Sequence, residues 1–172
     1  MVSAYLASPY RYGSLLDVDI APRLLSAGVR VVSSWHIGHR GQAEGPCSTE
    51  ARRDILVANL LDLDRADVMI AYEADRSGRE LFVELGRALE RAAPIAIYYV
   101  PHDPAAPFLS SCDARVTICD SLDAAVDAVA RLAAASACVA PTRLADIIAG
   151  ELAGHADRKN SNADTEPTAP AL

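Results

Sequence analysis

The sequence predicts an α/β fold with a doubly wound, five-stranded parallel sheet flanked by helices, and three observations predict it. Apolar runs of strand length recur at residues 2–7, 29–34, 68–71, 95–100 and 116–119. Segments with helical apolar spacing separate or follow them, at 14–27, 48–65, 78–92 and 121–137. That alternation is the pattern of a parallel sheet wrapped by crossover helices. Finally, residues 66–87, ADVMIAYEADRSGRELFVELGR, pass from a buried strand through a Ser-Gly loop into a helix. This is how such sheets place a polar group at the carboxyl edge of their strands, where ligands bind.

The first strand, VSAYLA, carries Tyr5 and ends in Ala7-Ser8-Pro9, followed by Tyr10, Arg11 and Tyr12. These residues offer hydroxyls, a guanidinium and aromatic faces at the sheet edge, suited to a sugar, phosphate or base, although each also fits an exposed loop. A tyrosine inside a strand needs one hydrogen-bond partner, so Tyr5 alone says little. The second strand ends in Ser33-Ser34-Trp35. An isolated Trp caps the core more often than it stacks on a base, and Trp35 fits either role.

The helix beginning after Ser48, an N-cap with Glu50 in the first turn, has Ile55, Leu56, Leu60 and Leu63 on one face. Asn59 falls among them. A polar amide there must find partners, either neighbouring backbone or a ligand in the cleft.

On the helix after the Ser-Gly loop, Leu81, Leu85, Ala88, Leu89 and Ala92 form the sheet-facing stripe. Glu84 lies at its edge, where a carboxylate is costly unless paired or used. Gly86 costs about 1 kcal/mol relative to Ala inside a helix, which predicts a close approach to its backbone. Ser77, the Gly78 backbone and Arg79 stand where a helix N-terminus holds an anion, and Arg11 is placed to face the same cleft. Each arginine also fits a solvated surface position.

Composition sets the outer limits. With 172 residues, 51% of them hydrophobic, the chain supports one globular domain, residues 1–154, and a tail at 155–172 too poor in large apolar groups to order. A helix near 142–153 closes the domain. The net charge of −7 argues against a nucleic acid polymer as partner, while leaving room for a small anion. No apolar run approaches a membrane span, and the first residues read as a strand rather than a signal peptide. Cys47, Cys112, Cys119 and Cys138 show neither paired nor metal-site spacing, so the expectation is a reduced, cytoplasmic protein with no metal and no cofactor.

Two resemblances follow from these motifs. Residues 36–39 spell HIGH, the phosphate-binding signature of class I aminoacyl-tRNA synthetases and related nucleotidyltransferases. Here it follows the second strand, runs into Gly41 and Gly45-Pro46 rather than a helix, and has no KMSKS-like partner, so coincidence is the better account.

The second is broader. YLASPY in the first strand, Ser-Ser-Trp after the second, Ala66-Asp67 before the third, and the Ser-Gly loop leading to Val83-Glu84-Leu85-Gly86 resemble the nucleoside 2-deoxyribosyltransferase superfamily, including its nucleotide N-glycosidase relatives. The resemblance spans about the first 100 residues in order. It implies a flavodoxin- or Rossmann-like sheet and cleavage or transfer at the N-glycosidic bond of a nucleoside or nucleoside 5′-monophosphate. It also implies that Glu84 is the nucleophile, that Tyr5 holds its carboxylate, and that the chain forms a dimer or larger homo-oligomer.

Two departures stand out. The family's acid eight residues before the Ala-Asp aspartate is Asn59 here, and the aspartate shortly before the nucleophile is matched only loosely by Asp75. Asp75 is the candidate to supply the missing acid. A non-catalytic nucleotide-binding or sensing module on the same sheet is the alternative, and a small nucleotidyltransferase using HIGH is a more distant one.

Overall fold

The computed structural model describes residues 1–37, 48–75, 78–91, 95–102 and 114–137. Strands β1 (Ser3–Ala7), β2 (Arg30–Val31), β3 (Val68–Tyr72), β4 (Ala96–Val100) and β5 (Val116–Ile118) form one all-parallel sheet in the order β2-β1-β3-β4-β5. Strand alternation divides its side chains between two faces. Ala4, Leu6, Val68, Ile70 and Tyr98 point one way, against Leu16, Ile20, Leu24, Val126 and Val129. Tyr5, Ala7, Met69, Ala71, Ile97 and Tyr99 point the other way, against Leu63, Leu81, Leu85 and Ala88. Helices cover both faces, and the fold is doubly wound as the sequence predicts.

The strand order reverses between β1 and β3, so the segments leaving their carboxyl ends diverge to opposite faces and open a crevice there. From β1 the chain passes through a 3-10 turn (Tyr10–Tyr12), α1 (Gly13–Leu15), a π-helical turn (Leu16–Ile20) and α2 (Ala21–Ser26). A single helix over 14–27 was the expectation. Pro22 at the start of α2 has no N–H to donate, and the widened π turn immediately before it accommodates that break in the α-helical ladder.

Strand β2 is much shorter than the expected 29–34, because side chains take over the ladder. Val32 N–H still bonds to the Ala4 carbonyl, but Leu6 N–H donates to Ser33 Oγ at 3.1 Å. The Leu6 carbonyl accepts from Trp35 Nε1 at 2.7 Å. The chain therefore leaves the sheet at Ser33 and lays Trp35 over the crevice.

Helices α3 (Thr49–Leu63) and α4 (Arg79–Glu90) pack side by side on the Tyr5 face. Ser48 caps α3 by accepting from Ala51 N–H at 3.1 Å. Its far end is lashed to α4: Arg87 forks onto Asp64 at 2.8 and 3.1 Å, and Arg91 donates to the carbonyls of Leu63, Asp64 and Ala66. These bonds satisfy carbonyls that a helix end leaves open and set the two helices in register. At this amino edge of the sheet, Asp67 accepts from Ser3 N–H and Oγ at 2.8 and 2.7 Å, so the Ala66-Asp67 pair is a structural latch.

Helix α5 (Leu122–Ala137) completes the other face with Ala125, Val126, Val129 and Leu132. Among the described residues no helix is long and apolar enough to cross a membrane. The expected helix near 142–153 and the tail from 155 lie outside the described residues, as do Ser77, Ala92 and three of the four cysteines. Gly86 corrects the sequence reading. It is exposed, and a Cβ built on it meets nothing within 4 Å among the described residues, so no close approach accounts for it.

Candidate active site

A cavity of about 260 Å³ opens at the crevice, with Glu84 in its wall. Glu84 is reached by the helical step from Leu81, and its side of α4 is held down by Leu81, Leu85 and Ala88. The residue is 4% exposed. Tyr5, wholly buried in β1, donates its hydroxyl to Glu84 Oε1 at 2.7 Å, and Asn59 Nδ2 on α3 donates to the same oxygen at 3.2 Å. One oxygen is thus fixed from strand and helix, on a residue that lines the cavity.

Burial is the largest influence on this carboxyl and pushes it up to about 7 from its ordinary 4.5. The hydrogen bonds from Tyr5 and Asn59 oppose that rise because they favour the anion, while the charge of Glu80 one turn earlier adds to it. The Tyr5 phenol moves upward, by its own burial first and then by the neighbouring Glu84 charge and hydrogen bond. It remains a neutral O–H donor. The result is a carboxylate near its midpoint at neutral pH, oriented by two neutral donors and open to a ligand. Such a group can act as a nucleophile or as a base.

Around Glu84 the cavity gathers Ser8, Trp35, Asn59 and Gly78, all singled out from the sequence. Trp35 is half-buried, touches the core of both sheet faces and still lines the cavity, so it caps and presents a ring at once. Tyr10 stands beside it with ring centroids 6.3 Å apart, making an aromatic wall. Gly78 serves a tight approach between the β1 loop and the start of α4: a Cβ there would lie 2.8 Å from Pro9 Cγ and 3.3 Å from Pro9 Cα. The turn after β1 and the N-terminus of α4 are packed as one unit.

Other expected residues stand apart from the cavity lining. Arg11 Nε donates to Asp75 Oδ2 at 2.7 Å, and the guanidinium also rests 5.4 Å from the Tyr12 ring centroid. Asp75 is therefore held by a cation, and neither partner lines the cavity. Arg79 is exposed and also lies off the lining. Ser77 lies outside the described residues.

His36 is buried in the turn that follows β2. Its Nε2 is 3.1 Å from Ser33 Oγ, and its Nδ1 is 3.9 Å from Asp17. Gly38 and His39 lie outside the described residues.

The sequence reading missed Arg52 and Glu80 as lining residues. Arg52 was legible in principle, since it shares the i, i+3, i+4, i+7 face of α3 with Ile55, Leu56 and Asn59. Glu80 precedes Glu84 by one turn and shares its face.

No protein-family model matches this chain, and a search of curated proteins gives no significant match.

Proposed function

We propose that this protein is an enzyme that cleaves or transfers at the N-glycosidic bond of a nucleoside or nucleoside 5′-monophosphate, with Glu84 as nucleophile. The observation that carries the reading is the Tyr5 hydroxyl fixed on the Glu84 carboxylate at the wall of an open cavity. The motif likeness of residues 5–86 to nucleoside 2-deoxyribosyltransferases supports it independently of the geometry.

Breaking the bond between C1′ and the base nitrogen builds positive charge on the sugar, which a carboxylate beneath the ring stabilises. Ionised Glu84 forms a bond from Oε2 to C1′ as the C1′–N bond breaks. The electron pair leaves with the base, which takes up a proton from solvent or from an acid in the cleft. Water, or the nitrogen of an acceptor base, then attacks C1′ and returns Glu84 as a carboxylate; the attacking group loses its proton to solvent. Tyr5 and Asn59 orient the nucleophile without neutralising it. The Trp35–Tyr10 wall supplies a flat surface for the base. In this reading the chain also assembles as a homo-oligomer.

The test is to incubate the protein with a panel of 2′-deoxynucleosides, ribonucleosides and their 5′-monophosphates, with and without a free acceptor base, and to follow free base by chromatography. Base release by the native protein and its loss in Glu84→Ala, with an unchanged circular dichroism spectrum, are expected. Binding without turnover by the native protein would replace the enzyme with a nucleotide-sensing module.

A further inference from the structure

We infer that the outward face of α4 is the surface on which a second copy of this chain docks, with the two α4 helices antiparallel about a twofold axis that passes between Val83 and Gly86. The inference rests on the homo-oligomer part of the reading above and is independent of the chemistry assigned to Glu84.

Helix α4 buries Leu81, Glu84, Leu85 and Ala88 against the sheet. Arg79, Val83, Gly86 and Glu90, spaced four, three and four residues apart, form a single stripe on the opposite side, and all four are exposed. Phe82 adjoins that stripe. It is 47% exposed, and Val83 is 51% exposed. On α3, which packs beside α4, Val57 and Leu61 lie one turn apart at 50% and 53% exposure and extend the apolar surface. Large apolar side chains gathered on two adjacent helices mark a contact surface, unlike apolar residues scattered singly.

Two features of this stripe are unfavourable in a lone helix and favourable in an antiparallel pair. Gly86 weakens the helix relative to alanine, and no described residue comes within 4 Å of the place its Cβ would take. Arg79 opens α4 and Glu90 closes it, each beside helix-dipole charge of its own sign. With the axis between Val83 and Gly86, Arg79 faces Glu90 of the partner subunit and Glu90 faces the partner's Arg79. Val83 then meets the partner's Gly86, where the missing side chain lets the two backbones approach closely. The stripe is therefore complementary to itself when reversed, as a twofold contact requires. A parallel pairing would set Arg79 against Arg79 and Glu90 against Glu90, so charge selects the antiparallel arrangement.

The experiment is analytical ultracentrifugation over a concentration series of the native protein, Arg79→Glu, Glu90→Arg, the variant carrying both changes, an equimolar mixture of the two single variants, and Gly86→Leu, each checked by circular dichroism. The native chain is expected to dimerise. Each single charge reversal sets like charges at both ends of the contact and should raise the dimer Kd about 10- to 100-fold. The double variant, and the mixture of the two single variants, should recover association close to the native, because opposite charges face each other again in both. Gly86→Leu favours the helix itself while obstructing the close approach, so association should weaken with the native spectrum kept. A native protein that stays monomeric at its highest soluble concentration overturns the inference, and leaves the face to a different protein. Native association that neither charge reversal weakens, or a mixture that does not recover it, also overturns this face, and leaves any oligomer to another surface. Base release is decided separately by the Glu84→Ala assay, so the two readings can fail independently.

Discussion

Replacing Glu84 by glutamine should make the protein more stable at alkaline pH, because the site holds a carboxylate where the fold prefers a neutral group. Burial raises the Glu84 carboxyl from 4.5 to about 7. Below pH 4.5 it is protonated in both folded and unfolded chains and adds no penalty. Between those values the folded chain binds more protons than the unfolded one, so stability falls as pH rises, and the loss is complete above about pH 7. At 1.36 kcal/mol per tenfold change in proton affinity, the penalty at pH 8 is about 3 kcal/mol. A glutamine has the same shape and its carbonyl accepts from Tyr5 and Asn59 as Oε1 does, yet it carries no charge. Urea unfolding of both proteins at pH 5 and pH 8, followed by the fluorescence of the single tryptophan, isolates the difference, because other titrating groups cancel between them. The stability gap in favour of Glu84→Gln should widen by about 2 kcal/mol or more from pH 5 to pH 8. A gap independent of pH, or a variant less stable than the native protein at pH 8, would refute the claim that desolvation dominates at this carboxyl.

Three further substitutions probe the same geometry. Tyr5→Phe removes a donor that favours the anion, so the acid limb of the pH profile for kcat/KM should move up by roughly one pH unit, with activity at pH 7 falling about fivefold or more. An unmoved limb would show that the hydroxyl does not tune Glu84. Asn59→Asp exchanges the second donor for a like charge, and both changes raise the carboxyl; the limb should again move upward, now as the joint titration of a coupled pair. A downward shift in the profile would contradict this. Gly78→Ala places a Cβ 2.8 Å from Pro9 Cγ, and with Pro9 Cα also at 3.3 Å the loop backbone must give. Destabilisation of about 1–3 kcal/mol is expected in thermal or urea unfolding, the usual cost of overpacking; neutral behaviour would mean that the loop yields freely.

Apolar periodicity made the sheet and its helices legible, because Val68–Tyr72 and Ala96–Val100 are buried on both faces and read as unbroken hydrophobic runs. It failed where side chains substitute for backbone partners. Residues 32–34 look like strand, yet Ser33 Oγ and Trp35 Nε1 occupy the hydrogen-bonding groups of Leu6, and no hydropathy pattern encodes that exchange.

The candidate site divides along the same line. Glu84 and Asn59 stood out because polar groups on apolar faces must be paired or used. Arg52 did not, because an arginine in the first turn of a helix has the composition of solvated surface. Charge alone also did not show how Arg11 and Asp75 are used: these opposite charges, 64 residues apart in sequence, meet on neighbouring loops, and neither lines the cavity. A site read from residue types is therefore sound for groups whose burial is costly and weak for groups whose partners lie across the chain. For this reason the carboxylate, rather than the arginines, is the group on which the proposed chemistry rests, and the desolvation that raises it is expected to cost measurable stability.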